Sequence, residues 1–123
     1  NAVRDRLAFA AAALPAVDLS MSEREARAVL YRHGAPAVAD ALRRRWAEAP
    51  DRDDDARRLL ALTASWTRPK LPVGGRDLAR LGVPPGPETG RLLKAFEDAW
   101  IADDFPSEGH EARLRTLVSR PRG

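Results

Sequence analysis

Apolar residues recur at intervals of three and four positions along most of this chain, which is the spacing that places side chains on one face of an α-helix. The first such stripe ends before Pro15 and comprises Leu7, Ala10, Ala11 and Leu14. No segment has the alternating, β-branched pattern of a strand. We therefore predict an all-α fold, a compact bundle of about six to seven short helices.

Local signals mark where several of these helices begin and end. Ser22 and Glu25 have the spacing of a capping box, and Gly34 ends the helix that follows. Pro36 fits the first turn of the next helix, and the acidic residues 51–55 fit the positive N-terminal end of another. The predicted buried stripes contain Ala26, Val29, Leu30, His33, Val38, Ala41, Leu42, Trp46, Leu59, Leu60 and Thr63.

The character of the chain changes between residues 68 and 90, where ten glycines and prolines occur. Five apolar side chains at regular places argue against a solvated linker. We expect a short helix over residues 76–81 closed by Gly82, then a Gly/Pro hairpin (residues 82–86), then a helix with Pro87 at its first position. That helix should bury Leu92, Leu93, Phe96 and Trp100, and a last helix starting at Ser107 and Glu108 should bury Leu114, Leu117 and Val118.

Composition divides the chain into a helical body-like segment, residues 1–66, and a tail-like segment with the hairpin, residues 67–123. We expect the two segments to form one unit.

The net charge is +3, and all but two of the 21 basic residues are arginines. A GC-rich genome explains an arginine excess as well as phosphate binding does. The positions of the basic residues are more informative than their number. Residues 68–94 hold six basic and two acidic residues, which gives this segment a net charge of +4.

The Gly/Pro hairpin is the part of the sequence whose residue types indicate a binding chemistry. A helix N-terminus presents unpaired amides, and glycine lets another backbone approach where a Cβ would stand. A sugar-phosphate strand is such a backbone, although Glu88 in the same turn would repel it. The alternative is that Gly90 only permits tight helix packing. The candidate nucleic-acid contacts are Arg68, Lys70, Arg76, Arg80, Gly86, Gly90, Arg91 and Lys94.

Two runs carry a resemblance to a known family. Residues 72–78 read PVGGRDL and residues 81–93 read LGVPPGPETGRLL, followed by Ala99-Trp100-Ile101. These match the patterns P-x-x-G-x-D-L and L-G-x-x-x-G-P-x-x-G-x-x-L, and resemble the C-terminal region of bacterial tRNA nucleotidyltransferase (CCA-adding) and poly(A) polymerase proteins. Residues 19–34 and Asp40 resemble the helices that precede this pattern, so the resemblance covers most of the chain. Thr89 stands where an aliphatic residue is common.

The resemblance implies a division of labour. An N-terminal head absent from this chain would hold Mg²⁺ and nucleotide and add nucleotides to the 3′ end of tRNA. The present chain would hold the rest of the tRNA by its shape and backbone, in the cytoplasm, without catalysis or a cofactor of its own. Its partners would be tRNA and the head.

Apparent catalytic motifs in the chain lack the required context. Gly74-Gly75-Arg76-Asp77 echoes a signature of the nucleotidyltransferase head, and Asp51 and Asp53 have the spacing of a two-metal site. These aspartates precede the glycine motif and stand at a helix start, so we interpret them as charge at a helix N-terminus. His33 and His110 are too few for a metal site, and core packing is the preferred role of Trp46, Trp66 and Trp100.

Other classes of protein are excluded or stay open. The sequence has no cysteine, which excludes disulfides and thiolate metal sites within it. No apolar run approaches the roughly 20 residues of a membrane span, so the sequence predicts no membrane-spanning helix. A helical protein-interaction or dimerisation module, whose arginines only keep it in solution, remains the main alternative, and a homodimer is possible. A DNA-binding helix-hairpin-helix motif is the third candidate, because the hairpin of that motif is shorter than the Gly/Pro hairpin of this sequence.

Overall fold

Seven α-helices and no strand occur among residues 2–119, the range that the computed structural model describes, apart from the side chain of Leu7. The all-α prediction with six to seven helices is confirmed. None of these helices combines the length and the apolar character that crossing a bilayer requires. The helices are α1 (Ala2–Ala13), α2 (Glu23–His33), α3 (Ala35–Glu48), α4 (Asp53–Ser65), α5 (Gly75–Arg80), α6 (Pro87–Ala102) and α7 (His110–Ser119).

Local signals account for most helix boundaries in the first half. The Ser22 hydroxyl accepts the Glu25 amide at 3.1 Å, and the Glu25 carboxylate accepts the Ser22 amide at 3.0 Å, which completes the predicted capping box. Gly34 ends α2 with a φ of +87°, a backbone conformation that favours glycine. Pro15 lies in a 3₁₀ turn, Leu14–Ala16, directly after α1.

Contacts within the chain divide it into two units, Asn1–Arg68 and Pro69–Gly123. The division drawn from composition lies two residues earlier, after residue 66. In the first unit α3 is central and packs against α1, α2 and α4. Its Val38 and Leu42 are fully buried, and Leu59 of α4 joins the same core. Trp46 and Trp66 are only partly buried against it.

Arginines tie the loops of the first unit to its helices. Arg45 of α3 donates hydrogen bonds to the carbonyl oxygens of Val17 at 3.0 Å and Leu14 at 2.9 Å. Arg58 of α4 donates to the carbonyl oxygen of Met21 at 3.1 Å. These guanidinium groups hold backbone carbonyl oxygens outside the α-helices, so part of the arginine excess has a structural role.

In the second unit α6 lies between α5 and α7 and supplies most of the core. Phe96 is fully buried and stacks on Trp100, with ring centroids 6.5 Å apart. Trp100 donates its indole N–H to the carbonyl oxygen of Pro106 at 3.0 Å, so the polar atom of this buried side chain has a hydrogen-bond partner. The remaining buried apolar residues are Leu78, Val83, Leu92, Ile101 and Leu114.

The connection between α6 and α7 differs from the sequence-based prediction. Helix α6 ends at Ala102, and Asp104 and Phe105 adopt positive φ values of 64° and 58°. Asp104 N–H donates to the Ile101 carbonyl oxygen and Phe105 N–H to the Trp100 carbonyl oxygen, each at 3.0 Å, and the ring of Phe105 packs edge-on against that of Trp100 with the centroids 5.1 Å apart. Helix α7 begins at His110, not at Ser107, because Gly109 at φ +80° turns the chain just before it.

Candidate nucleic-acid interface

The Gly/Pro hairpin is built from a helix end and a helix start that both follow standard capping rules. After α5, Val83 N–H donates to the Leu78 carbonyl oxygen and Gly82 N–H to the Ala79 carbonyl oxygen, each at 3.0 Å. This is the Schellman pattern, and Gly82 has the positive φ of +88° that it requires. Leu78 and Val83 are both buried beneath it. The predicted closure of the short helix by Gly82 is confirmed.

The start of α6 is equally well defined. Pro87 occupies its first position, as predicted, and Gly86 precedes it with a φ of +149°. The Thr89 hydroxyl donates to the carbonyl oxygen of Pro84 at 3.3 Å. Thr89 therefore braces the hairpin through a polar contact that an aliphatic side chain could not make, a role that the sequence analysis missed.

The hairpin lies at the surface of the second unit. Pro84, Pro85, Gly86 and Pro87 are exposed, while Val83 beneath them is buried. A Cβ built on Gly86 or on Gly90 would meet no atom within 4 Å. The alternative explanation for Gly90, tight packing against a neighbouring helix, therefore has no support in the geometry of the described residues. Both glycines leave open space in front of the first turns of α6.

Gly90, Arg91 and Lys94 share the exposed side of α6. Helical spacing places Lys94 next to both of the others, since it follows them by four and three residues. All three are exposed, whereas Leu92 and Phe96 point the other way and are buried. The sequence-predicted candidates on this helix are thus brought together.

Most of the candidate cations already have partners. Arg80 pairs with Asp77 at 3.3 Å and Lys94 with Asp98 at 3.5 Å. The Arg91 Nε donates to Glu88 Oε2 at 3.0 Å, and a second nitrogen, Nη2, donates to Oε1. Exposed pairs of this kind contribute only about 0–1 kcal/mol, so they can exchange for phosphate. They nevertheless reduce the local positive charge.

Two candidates differ from the others. Within residues 2–119, Arg76 and Lys70 have no ion-pair partner, and both are exposed. Arg76 lies in the first turn of α5, one helical turn before Arg80. Arg76 and Lys70 are therefore the candidate cations that can meet a phosphate without first losing an ion pair.

Arg68 belongs to the first unit and is engaged there. Its guanidinium carbon lies 4.1 Å from the centroid of the Tyr31 ring, and its Nε donates to the Tyr31 carbonyl oxygen at 2.9 Å. Tyr31 itself is buried. The structure thus gives Arg68 a packing role that the sequence analysis did not foresee, because the two residues are far apart in the chain.

Two acidic residues of the apparent catalytic motifs have structural partners. Asp53 is the first residue of α4 and accepts Arg57 Nε at 2.8 Å. Asp77 accepts the Gly74 amide at 2.8 Å and so caps the start of α5. Across residues 2–119, no three His, Cys, Asp or Glu side chains are grouped in a way that could hold a metal ion.

A small cavity of about 250 Å³ lies within the second unit, between α5 and α7. Asp77, Arg80, His110 and Glu111 line it together with apolar side chains. Its volume is below the roughly 300–1,000 Å³ of typical ligand pockets. This cavity is accordingly a weaker candidate than the hairpin for a functional surface.

Comparisons of this chain with protein-family models, with curated proteins and with solved structures found no match.

Proposed function

We propose that this chain is the tRNA-holding portion of a tRNA nucleotidyltransferase or poly(A) polymerase-like protein. Its partners are then tRNA and an N-terminal catalytic head of the same protein, where Mg²⁺, nucleotide and the transfer chemistry belong. The chain itself is not the enzyme, and the setting is the cytoplasm. The basis is the resemblance of residues 72–78 and 81–93 to that family.

The observation that carries the proposal is the open space at Gly86 and Gly90 beside the first turns of α6. A sugar-phosphate backbone can approach a helix N-terminus closely only where side chains do not obstruct it. Arg91 and Lys94 lie on the same exposed side of α6 as Gly90. Contacts to backbone phosphates position an RNA without reading its sequence, which suits a protein that must accept every tRNA.

Arg76 provides the sharpest test of this proposal. We would titrate the chain into fluorescently labelled tRNA and measure anisotropy over a range of salt concentrations. Arg76→Gln should weaken binding and reduce the slope of log K against log salt by about 0.7–0.9, the value for one phosphate contact. The matched control is Arg44→Gln, since Arg44 of α3 is also an exposed arginine, which pairs with Glu48 at 3.6 Å.

Two results would count against tRNA holding. One is the absence of salt-dependent tRNA retention by the chain at low ionic strength. The other is an equal loss of affinity in Arg44→Gln and Arg76→Gln, which would indicate unspecific attraction between a cationic protein and a polyanion.

A helical interaction or dimerisation module is the second candidate function, and one observation favours it. Among the described residues, the large apolar side chains that stand exposed are Val3 at 70% and Phe9 at 62%, both on α1. Exposed apolar side chains mark surfaces that contact another protein where they form a contiguous patch. Sedimentation analysis tests this function: concentration-dependent self-association without tRNA retention would support it and oppose the first proposal.

A further inference from the structure

Glu88 and Arg91 of α6 form a two-point ion pair. The Nε and Nη2 atoms of Arg91 each donate to one carboxylate oxygen of Glu88, the first at 3.0 Å. The Glu88 side chain is 28% exposed and that of Arg91 is 56% exposed. The hydrogen bonding that Arg91 donates to Glu88, with the charge of Glu88 as a further cause, raises the pKa of Arg91 above its ordinary value.

A phosphate group and a carboxylate compete for the same edge of a guanidinium. Both present two oxygens at the spacing that the planar fork accepts, and one edge can hold one such group at a time. Glu88 also lies in the first turn of α6, where the positive end of the helix dipole favours an anion. Its carboxylate therefore occupies the place that an RNA phosphate at Arg91 would take.

The other two pairs near the hairpin do not have this geometry. Asp77 meets Arg80 at 3.3 Å while also accepting the Gly74 amide at 2.8 Å, so its main role is to cap α5. Lys94 and Asp98 approach to 3.5 Å, and an ammonium group offers no fork. Glu88 is thus singled out as the acid whose contact imitates a bound phosphate.

We propose that Glu88 is an internal competitor for phosphate at Arg91, which keeps the affinity of this surface for RNA low enough for tRNA to be released. The inference rests on the proposed tRNA-holding function, since it names a residue that tunes that same surface. It predicts that the chain binds tRNA more weakly than its cations alone would allow. Removing the carboxylate should therefore strengthen binding.

The test compares Glu88→Gln with Glu111→Gln by tRNA anisotropy over a salt series. Both changes remove one negative charge from an ion pair within one helix, since Glu111 pairs with Arg115 on α7 at 2.8 Å. We expect Glu88→Gln to lower Kd about three- to tenfold and to steepen the salt slope by about 0.7, because one more phosphate is neutralised. Glu111→Gln should leave the slope unchanged.

A double-mutant cycle with Arg91→Gln identifies the residue through which Glu88 acts. Arg91→Gln alone should have a small effect, because Arg91 is held by Glu88 in the parent chain. In the Glu88→Gln background, the same change should abolish the gained affinity. Circular dichroism checks that each variant keeps its helices, and Glu88→Asp, which retains the charge but shortens the side chain, should bind more tightly than the parent chain.

The outcomes separate this inference from the function on which it rests. If neither the parent chain nor any variant retains tRNA, the proposed function fails and the inference fails with it. If the parent chain binds tRNA with the expected salt dependence but Glu88→Gln behaves like Glu111→Gln, only the competitor role is overturned. Effects of Glu88→Gln that persist without Arg91 would overturn it as well.

Discussion

Arg68 and Tyr31 lie 37 residues apart in the chain, yet the guanidinium of one covers the ring of the other at 4.1 Å. The same guanidinium donates to the Tyr31 carbonyl oxygen at 2.9 Å. Tyr31 belongs to α2, and Arg68 follows the end of α4. One arginine therefore ties the segment after α4 to α2 through two different contacts.

Arg68→Lys should destabilise the first unit by about 1–2 kcal/mol, because an ammonium group cannot both stack on the ring and reach the carbonyl oxygen. Urea unfolding followed by circular dichroism measures the change. The control is Lys70→Arg, which makes the reverse exchange at an exposed residue. The same variant also tests how Arg68 contributes to RNA binding. Lysine keeps the positive charge, so an unchanged tRNA affinity of Arg68→Lys would indicate that Arg68 contributes through its charge alone.

The Arg6–Asp40 pair predicts a dependence of stability on pH. Arg6 donates to both carboxylate oxygens of Asp40, at 2.7 and 2.9 Å, and this hydrogen bonding holds the pKa of Asp40 below its ordinary value. A lowered folded-state pKa means that the contribution of Asp40 is present at neutral pH. It is lost as the pH falls below about 4, the ordinary carboxyl range, towards the folded-state pKa.

Asp40→Asn should therefore lower the urea midpoint at pH 7 and have a much smaller effect at pH 3. Midpoints of the parent chain and the variant at several pH values between these limits measure the difference. A gap between the two proteins that stays constant over this range would show that Asp40 acts through packing and not through its charge.

Gly90→Ala should have opposite effects on stability and on RNA binding. An alanine within α6 should stabilise the helix by about 0.5–1 kcal/mol, since glycine disfavours helices and the new methyl group meets no atom within 4 Å. The same methyl group would obstruct a sugar-phosphate backbone, so tRNA affinity should fall. Thermal unfolding and tRNA anisotropy on one preparation measure both effects, and a stabilised variant with unchanged affinity would remove Gly90 from the interface.

Features that depend on neighbouring residues were predictable from the sequence. The Ser22–Glu25 capping box, the left-handed Gly82 after α5 and Pro87 at the start of α6 each follow from the conformational preferences of one or two side chains. Helical spacing also indicated which residues of α6 are buried, because Leu92, Phe96 and Trp100 recur on one face.

Features that depend on tertiary contacts were not predictable in this way. The end of α6 at Ala102 carried no glycine signal in the sequence, because Asp104 takes the left-handed position of its Schellman motif. In the candidate site, the spacing of Glu88 and Arg91 is visible in the sequence, but only side-chain geometry shows a two-point contact. The engagement of Arg68 with Tyr31 joins α2 to a segment beyond α4, so spacing within one helix could not reveal it.

The bonds from Arg45 and Arg58 to loop carbonyl oxygens, and from Arg68 to a carbonyl oxygen of α2, have a practical consequence. Dissolved ions weaken attraction between charges that are separated by about a Debye length, roughly 8–10 Å at ordinary ionic strength, and have little influence on donors and acceptors in direct contact. Washing with concentrated sodium chloride should therefore strip adhering nucleic acid while the first unit keeps its native fold.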